Sequence, residues 1–275
     1  MSKETRKMSK SIGFIGGGAM ATGIIKGILS ANTLTAEGIY VKELLPERQA
    51  YLKETYGLQL ADSLKELAEK AKILVLAVRP QDAEKVAKEL SEVITPDHVL
   101  VSICAGIQIE KLTGWIGEKV TYARIMPNTM TEIKRGYSAL TFSENASEEA
   151  KQSVQRITDS IGSTLVIPEK QFDAFTALSC AGPEWLLLFS AALVDAGVEC
   201  GIARADAKKI VTQNLIGTGL MLESTDKHPF QITDEMNTPG GIGIAGYHTF
   251  VSAGLNGIVM DAVQAAYKRT TELGK

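Results

Sequence analysis

Three consecutive glycines, Gly16, Gly17 and Gly18, stand between a short β-type run, Ile12 to Ile15, and a helix-forming start, Ala19-Met20-Ala21. The order is G-x-G-x-x-A, with Gly16, Gly18 and Ala21 in the three special positions. The first glycine makes a tight turn, the second lets backbone approach a pyrophosphate, and the small third residue lets helix and strand pack closely. The pyrophosphate then meets free N–H groups at a helix N-terminus. This constrains the chain more than any other feature. It points to a dinucleotide-binding α/β domain, the alternative being a purely structural glycine turn.

The residues behind the turn agree. From 11 to 170, apolar runs (SIGFIG, GIYVKE, AKILVLAV, HVLVSI, KVTYARI, STLVIP) alternate with charged helical stretches such as PERQAYLKETYG and DAEKVAKELSEVI. That alternation predicts βαβ units and a mostly parallel sheet. Ile73 to Val78 is apolar throughout, as a central strand covered on both sides must be. After Pro168 the runs give way to helical patterns rich in Ala, Gly and Leu: Pro183 to Val198, Asp206 to Ser224 and Asn256 to Leu273. The expected organisation is a dinucleotide-binding domain over 1–168 and an all-helical domain over 169–275. So small a helical domain buries apolar surface poorly alone, so it is expected to complete its core against a second copy of itself.

The second strand ends at Glu43, where an acidic residue meets the adenosine ribose in such folds. A carboxylate there accepts from the 2′-OH and repels a 2′-phosphate, which favours NADH over NADPH. Lys42 and Arg48 are nearby cations that could reverse the preference, and Glu43 could also be a plain surface charge.

Net charge is −3, so no strong positive field exists to collect nucleic acid or an anionic bilayer. The stretch Met236 to Met260 has no charged side chain, but Pro239 and several glycines interrupt it. Trp185 to Val194 is shorter than the roughly 20 residues a crossing helix needs and reads as a buried core helix. Cys104, Cys180 and Cys200 are odd in number and form no metal-ligand pattern, so reduced thiols in a cytoplasm and no metal are expected. The basic start, MSKETRKMSK, reads as a solvated terminus with no export signal.

Fold alone does not give function. None of the seven tyrosines has lysine four residues on, which removes the acid/base pair of short-chain dehydrogenases, and no lysine occurs between Lys170 and Lys208. His98, His228 and His248 read as structural or exposed. A hydride acceptor that needs little protein help fits better: a protonated cyclic imine need only be aligned with nicotinamide C4.

At this point the motifs carry a resemblance. IGFIGGGAMA at 12–21, AVRPQD at 77–82, SICAGI at 102–107, RIMPNT at 124–129, ALSCAGP at 177–183 and TPGG at 238–241 resemble the pyrroline-5-carboxylate reductases over essentially the whole chain. The resemblance implies an N-terminal Rossmann domain, a helical C-terminal dimerisation domain that forms a homodimer or higher homo-oligomer, and NAD(P)H-dependent reduction of 1-pyrroline-5-carboxylate to L-proline. By position it implies that Gly16, Gly17, Gly18, Ala19 and Met20 line the pyrophosphate. It puts Ala77, Val78, Arg79, Pro80 and Gln81 in the loop beside ribose and nicotinamide, with Ala105, Gly106 and Asn128 at the next strand ends. Arg79 stands where the family usually has lysine.

The substrate side departs from the family. Its Ser-Gly-Ser-Gly-Pro-Ala reads Ser179-Cys180-Ala181-Gly182-Pro183-Glu184 here, and its Thr-Ser-Pro-Gly-Gly-Thr-Thr reads Asn237-Thr238-Pro239-Gly240-Gly241-Ile242-Gly243. Each donor lost from a desolvated carboxylate costs on the order of 1–3 kcal/mol. Glu184 is either a helix-start acid favoured by the macrodipole or a pocket acid meeting a cationic imine; Cys180 reads as a packing residue. Thr238 and Glu184 are the candidate catalytic residues, with Ser179 to Pro183 and Gly240 to Gly243 holding substrate. A reductase of another cyclic imine, and a nucleotide-binding regulatory paralogue without turnover, stand as alternatives.

Overall fold

A computed structural model describes residues 11–273, so the expectation for the basic start at 1–10 lies outside the described residues. Eight strands form one sheet: β1 (Ile12–Ile15), β2 (Ile39–Lys42), β3 (Gln59–Leu60), β4 (Ile73–Leu76), β5 (Val99–Ser102), β6 (Thr121–Met126), β7 (Gly136–Phe142) and β8 (Gly162–Val166). Their spatial order is β3-β2-β1-β4-β5-β6-β7-β8. The first six are parallel, β7 runs antiparallel to β6, and β8 is parallel to β7. The 3-2-1-4-5-6 portion is the doubly wound order, with its switch point between β1 and β4. The sequence reading lacks two-residue β3, and it lacks β7, which opens on a glycine and alternates small with large side chains.

Six helices cover the sheet: α1 (Ala19–Ser30), α2 (Pro46–Tyr56), α3 (Leu64–Lys70), α4 (Pro80–Ser91), α5 (Ile109–Ile116) and α6 (Glu148–Asp159). Pro46 and Pro80 sit in first turns, where a missing N–H costs nothing. Ser63 and Ser147 cap α3 and α6 by accepting from the N–H groups of Glu66 and Ala150. β4 is mid-sheet as its composition demands, and its pleat feeds two cores. Ile73 and Val75 pack with Ile24, Ile28, Val154 and Ile157 from α1 and α6. Leu74 and Leu76 pack with Leu67, Leu90 and Leu112 from α3, α4 and α5. Each such fully buried side chain contributes about 1.5–3 kcal/mol.

The chain divides into two compact units, one reaching Cys180 and taking in the residues from Tyr267 on, the other Ala181–Ala266. The change of character at Pro168 falls just after the last strand; the residues that follow, with α7 (Phe172–Phe175) and a π-helical turn, Thr176–Cys180, stay with the sheet unit. The second unit holds α8 (Gly182–Glu199), α9 (Arg204–Glu223), α10 (Pro229–Met236), α11 (Ile242–Ser252) and most of α12 (Leu255–Leu273).

One expectation is corrected in α8. Trp185 to Val194 is not a buried core helix in the single chain: α8 has no buried residue, and Leu187 and Leu188 are 68% and 72% exposed. The unit has too few helices to enclose its own apolar faces. The helical run is also longer than its apolar centre. Glu169–Glu199 meets the length and composition of a membrane-crossing helix.

Candidate functional site

The switch point opens on a cavity of about 690 Å³ whose walls include Gly16, Gly18, Glu43, Ala77, Val78 and Arg79. These six come from three separate motifs, and the parallel register of β1 with β2 and β4 brings them together. Gly16 donates to the Lys42 carbonyl, and Ala77 donates to that of Ile15. Gly16 has φ +97°, and a Cβ on it would sit 2.7 Å from the Ala77 oxygen, so only glycine fits the first motif position. A Cβ on Gly18 would meet nothing within 4 Å. The second glycine therefore borders open space where a pyrophosphate can approach, beside the first turn of α1 that Ala19 and Met20 begin. Ala21, in the third position, is buried against the sheet. The turn fits a dinucleotide.

Glu43 reaches back to this turn. Its Oε2 accepts from the Gly17 N–H at 2.7 Å, and its Oε1 accepts from Leu44 and Leu45 at 2.7 and 3.0 Å. Burial pushes the carboxyl up, but the backbone donors of Leu45, Gly17 and Leu44 and the Arg48 charge outweigh it and hold Glu43 below the ordinary glutamate value. The nearby cations are engaged elsewhere. Lys42 donates to the Asp62 carbonyl, and Arg48 donates to the Gly17 carbonyl and to Thr22 Oγ1. Lys42, Arg79 and Lys85 on the cavity wall are matched by Glu43, Asp82 and Glu89.

Of the AVRPQ segment, Arg79 caps α4 and pairs with Asp82 at 2.8 Å, while Pro80 and Gln81 belong to the first turn of α4 rather than to a loop. Ala105 and Gly106 follow β5, and Asn128 follows β6, all at carboxyl ends of strands. The Asn128 side chain is buried and engaged within the protein. Its amide donates to both the carbonyl and the hydroxyl of Ser179 at 3.2 Å, and its oxygen accepts from the Met130 N–H. Ser179 Oγ in turn donates to the Tyr137 carbonyl. These bonds dock the π-helical turn, a local irregularity often found at functional positions, onto the carboxyl end of β6 and the start of β7. Cys180 donates to the Pro127 carbonyl, and burial pushes its thiol up to about 11, so it packs rather than reacts.

In the second unit, Ala181 precedes α8, Gly182 and Pro183 begin it, and Glu184 lies exposed in its first turn. Thr238 and Gly241 close a turn, Gly241 N–H to Thr238 carbonyl at 2.9 Å, with Gly240 at φ +71°. Gly241 caps α11, whose first residues, Ile242 and Gly243, are exposed, Ile242 at 96%. His98 is buried with its ring nitrogens on Ala68 and Thr95, His228 caps α10, and His248 lies on α11. Among the described residues no cluster of His, Cys, Asp or Glu could hold a metal.

The sequence reading misses Ile15, Leu44, Leu45, Leu64, Asp82 and Val86 on the cavity wall. Their only signal is position: Ile15 ends β1, Leu44 and Leu45 follow β2, Leu64 begins α3, and Asp82 and Val86 lie on α4.

Residues 169–273 match the family described as pyrroline-5-carboxylate reductase dimerisation, and residues 11–106 match that described as NADP oxidoreductase, coenzyme F420-dependent. A pyrroline-5-carboxylate reductase of Pisum sativum is 35% identical over 96% of both chains, and one of Synechocystis is 33% identical over 98% of this chain and all of its own. Among solved structures, a Plasmodium falciparum pyrroline carboxylate reductase with NADP bound has a TM-score of 0.88 at 30% identity, covering 98% of this chain and 100% of its own. The Streptococcus pyogenes 1-pyrroline-5-carboxylate reductase has 0.86 at 34% identity, covering 95% and 98%. With relatives of this identity along its whole length, and with the doubly wound sheet, the glycine turn and the helical unit all in place, the chain belongs to the pyrroline-5-carboxylate reductase family.

Proposed function

We propose that the chain reduces 1-pyrroline-5-carboxylate to L-proline as a cytoplasmic homodimer or higher homo-oligomer that prefers NADH. The observation that carries the activity is similarity to reductases of that name over both the cofactor cleft and the helical unit. The bound reduced nicotinamide supplies the hydride. The hydride joins the imine carbon, and the C=N electron pair moves to a nitrogen that already carries its proton. The protein then needs to bind, orient and exclude water rather than transfer a proton; His98 is engaged in packing and His228 in capping, and His248 lies exposed on α11. Asn128 and Ser179 hold the turn leading to Ala181-Gly182-Pro183, and the Thr238 hydroxyl with the Gly240-Gly241 backbone receives the substrate; Glu184, exposed on its helix start, is available to a cationic ring.

The NADH preference rests on an ionised Glu43 at the cavity rim with Lys42 and Arg48 both turned to backbone partners. Three unpaired cysteines fit a reducing compartment. Oxidation of NADH and of NADPH, followed with pyrroline-5-carboxylate and with a panel of five- and six-membered imines, tests the reading. Turnover of pyrroline-5-carboxylate with the higher kcat/KM for NADH supports it. Turnover confined to other imines, or cofactor binding with none, refutes it.

A further inference from the structure

The phosphate-binding turn is held by both ends of one peptide residue. Glu43 takes the N–H of Gly17 at 2.7 Å, and Arg48 Nη2 takes its carbonyl at 2.5 Å. The same Nη2 donates to Thr22 Oγ1 at 2.9 Å, and Thr22 Oγ1 donates to the Gly18 carbonyl at 2.9 Å. The grip comes from outside the turn. Glu43 follows β2, Arg48 lies in the first half of α2, and the Gln49 amide ties the two by donating to the Glu43 carbonyl at 2.7 Å. Arg48 is itself fixed, with its guanidinium 4.8 Å from the centre of the Tyr51 ring.

Three glycines in a row are loose without such a grip. With no Cβ on Gly17 or Gly18, the peptide between them meets little steric resistance to flipping, and its free rotation is lost when a ligand orders it. No described peptide is cis, so the Gly17 carbonyl and the Gly18 N–H point in opposite directions. With Arg48 on the carbonyl, the Gly18 N–H points opposite to that guanidinium, and Gly18, unlike Gly17, lines the cavity. We propose that Arg48 is a positioning residue that, with Glu43, fixes the Gly17–Gly18 peptide so that the Gly18 N–H is already aimed at the dinucleotide pyrophosphate before binding. Arg48 thus acts through the turn and touches no phosphate. This assigns it a different task from the 2′-phosphate cation that its proximity to Glu43 suggests in the sequence.

The inference rests on the dinucleotide site and not on the identity of the imine, so its test begins with direct binding. Arg48→Met keeps the stem over Tyr51 and removes the donors; Arg48→Lys returns one donor. NADH, NADPH, ADP and adenosine are titrated against the full-length protein, and steady-state constants and thermal midpoints are taken for each variant. For Arg48→Met the expectation is about tenfold weaker binding of NADH, NADPH and ADP alike, the loss of a hydrogen bond to a charged group. Adenosine affinity should be unchanged, the KM for NADH raised with kcat at saturation retained, and part of the loss recovered in Arg48→Lys. Weakening confined to NADPH would make Arg48 a 2′-phosphate contact and overturn the proposal. A lowered thermal midpoint with all four affinities intact would leave Arg48 merely structural and also overturn it. Should Arg48→Met fail to fold, Thr22→Val, which removes the hydroxyl that Arg48 and the Gly18 carbonyl share, must weaken ADP more than adenosine or the proposal fails.

Discussion

Arg124 and Glu169 form an ion pair at 2.6 Å in which the arginine side chain is only 3% exposed. The same Glu169 oxygen accepts from the Ile109 N–H at 2.8 Å, and the guanidinium lies 4.7 Å from the centre of the Phe172 ring. One carboxylate thus ties β6, the start of α5 and the segment that leaves the sheet after β8. Removing it strands a buried cation, which costs more than the pair contributes. Glu169→Ala is expected to lower unfolding stability by roughly 3–5 kcal/mol in urea titrations, while Lys72→Ala, which removes an exposed pair with Asp97, changes it by less than about 1 kcal/mol.

The first two motif glycines should fail in different ways. Gly16→Ala forces a side chain into a positive φ and against the Ala77 oxygen, so it should cost roughly 1–3 kcal/mol of stability as well as cofactor binding. Gly18→Ala adds a methyl to open space and should keep stability within about 0.5 kcal/mol of wild type. The methyl then stands where the pyrophosphate approaches, and NADH affinity should fall at least tenfold. Equal affinity loss without a stability difference would contradict this division of roles.

That division also shows what the sequence makes legible. The glycine turn, the six apolar runs and the long helices of the second half follow from local pattern, and each appears within a few residues of its expected place. β7 escapes because GYSALTF begins with glycine and lacks a helical crossover before it, being antiparallel to β6. α10 has its signal, His228 and Gln231 in a capping box around Pro229, but that pattern is easily passed over in a short segment. The bounds of α11 are blurred by Gly243 and Gly246. The roles of Arg48 and Asn128 are illegible for another reason. Their partners lie 31 and 51 residues away, so only the folded sheet decides whether each side chain meets a ligand or its own backbone.

Cofactor choice should respond to the cavity rim. Leu44 is 81% exposed beside Glu43, on a wall where Lys42, Arg79 and Lys85 are balanced by acids. The wild type is expected to show the higher kcat/KM with NADH. Leu44→Arg adds an unengaged guanidinium suited to a phosphate and should move the NADPH-to-NADH ratio of kcat/KM upward by about tenfold. No change in the ratio would show that the 2′ position lies away from Leu44.

Glu43 also predicts a pH signature. Its folded value lies below the ordinary one, so the unfolded chain takes up the proton first as pH falls. The stability it contributes is full above the unfolded value and is lost as pH drops through the folded value. Compared by urea titration, wild type should exceed Glu43→Gln at neutral pH, and the gap should close below about pH 4. A gap that widens in acid would reverse the sign of the argument.

The uncovered face of α8 gives the last prediction. Leu187 and Leu188 are consecutive, about 100° apart around the helix, and both project into solvent in the single chain, so the apolar surface spans a broad arc rather than a seam. A surface of that breadth fits a partner that encloses much of the helix, and residues 169–273 carry the dimerisation match. Wild type is expected to run as a dimer or larger in light scattering. Leu187→Asp combined with Leu188→Asp places two charges where burial would desolvate them, and should shift the mass to that of a monomer. The sheet unit has its own complete cores, so NADH binding should survive in that monomer while imine turnover falls. An unchanged oligomer with both charges in place would move the subunit contact off α8.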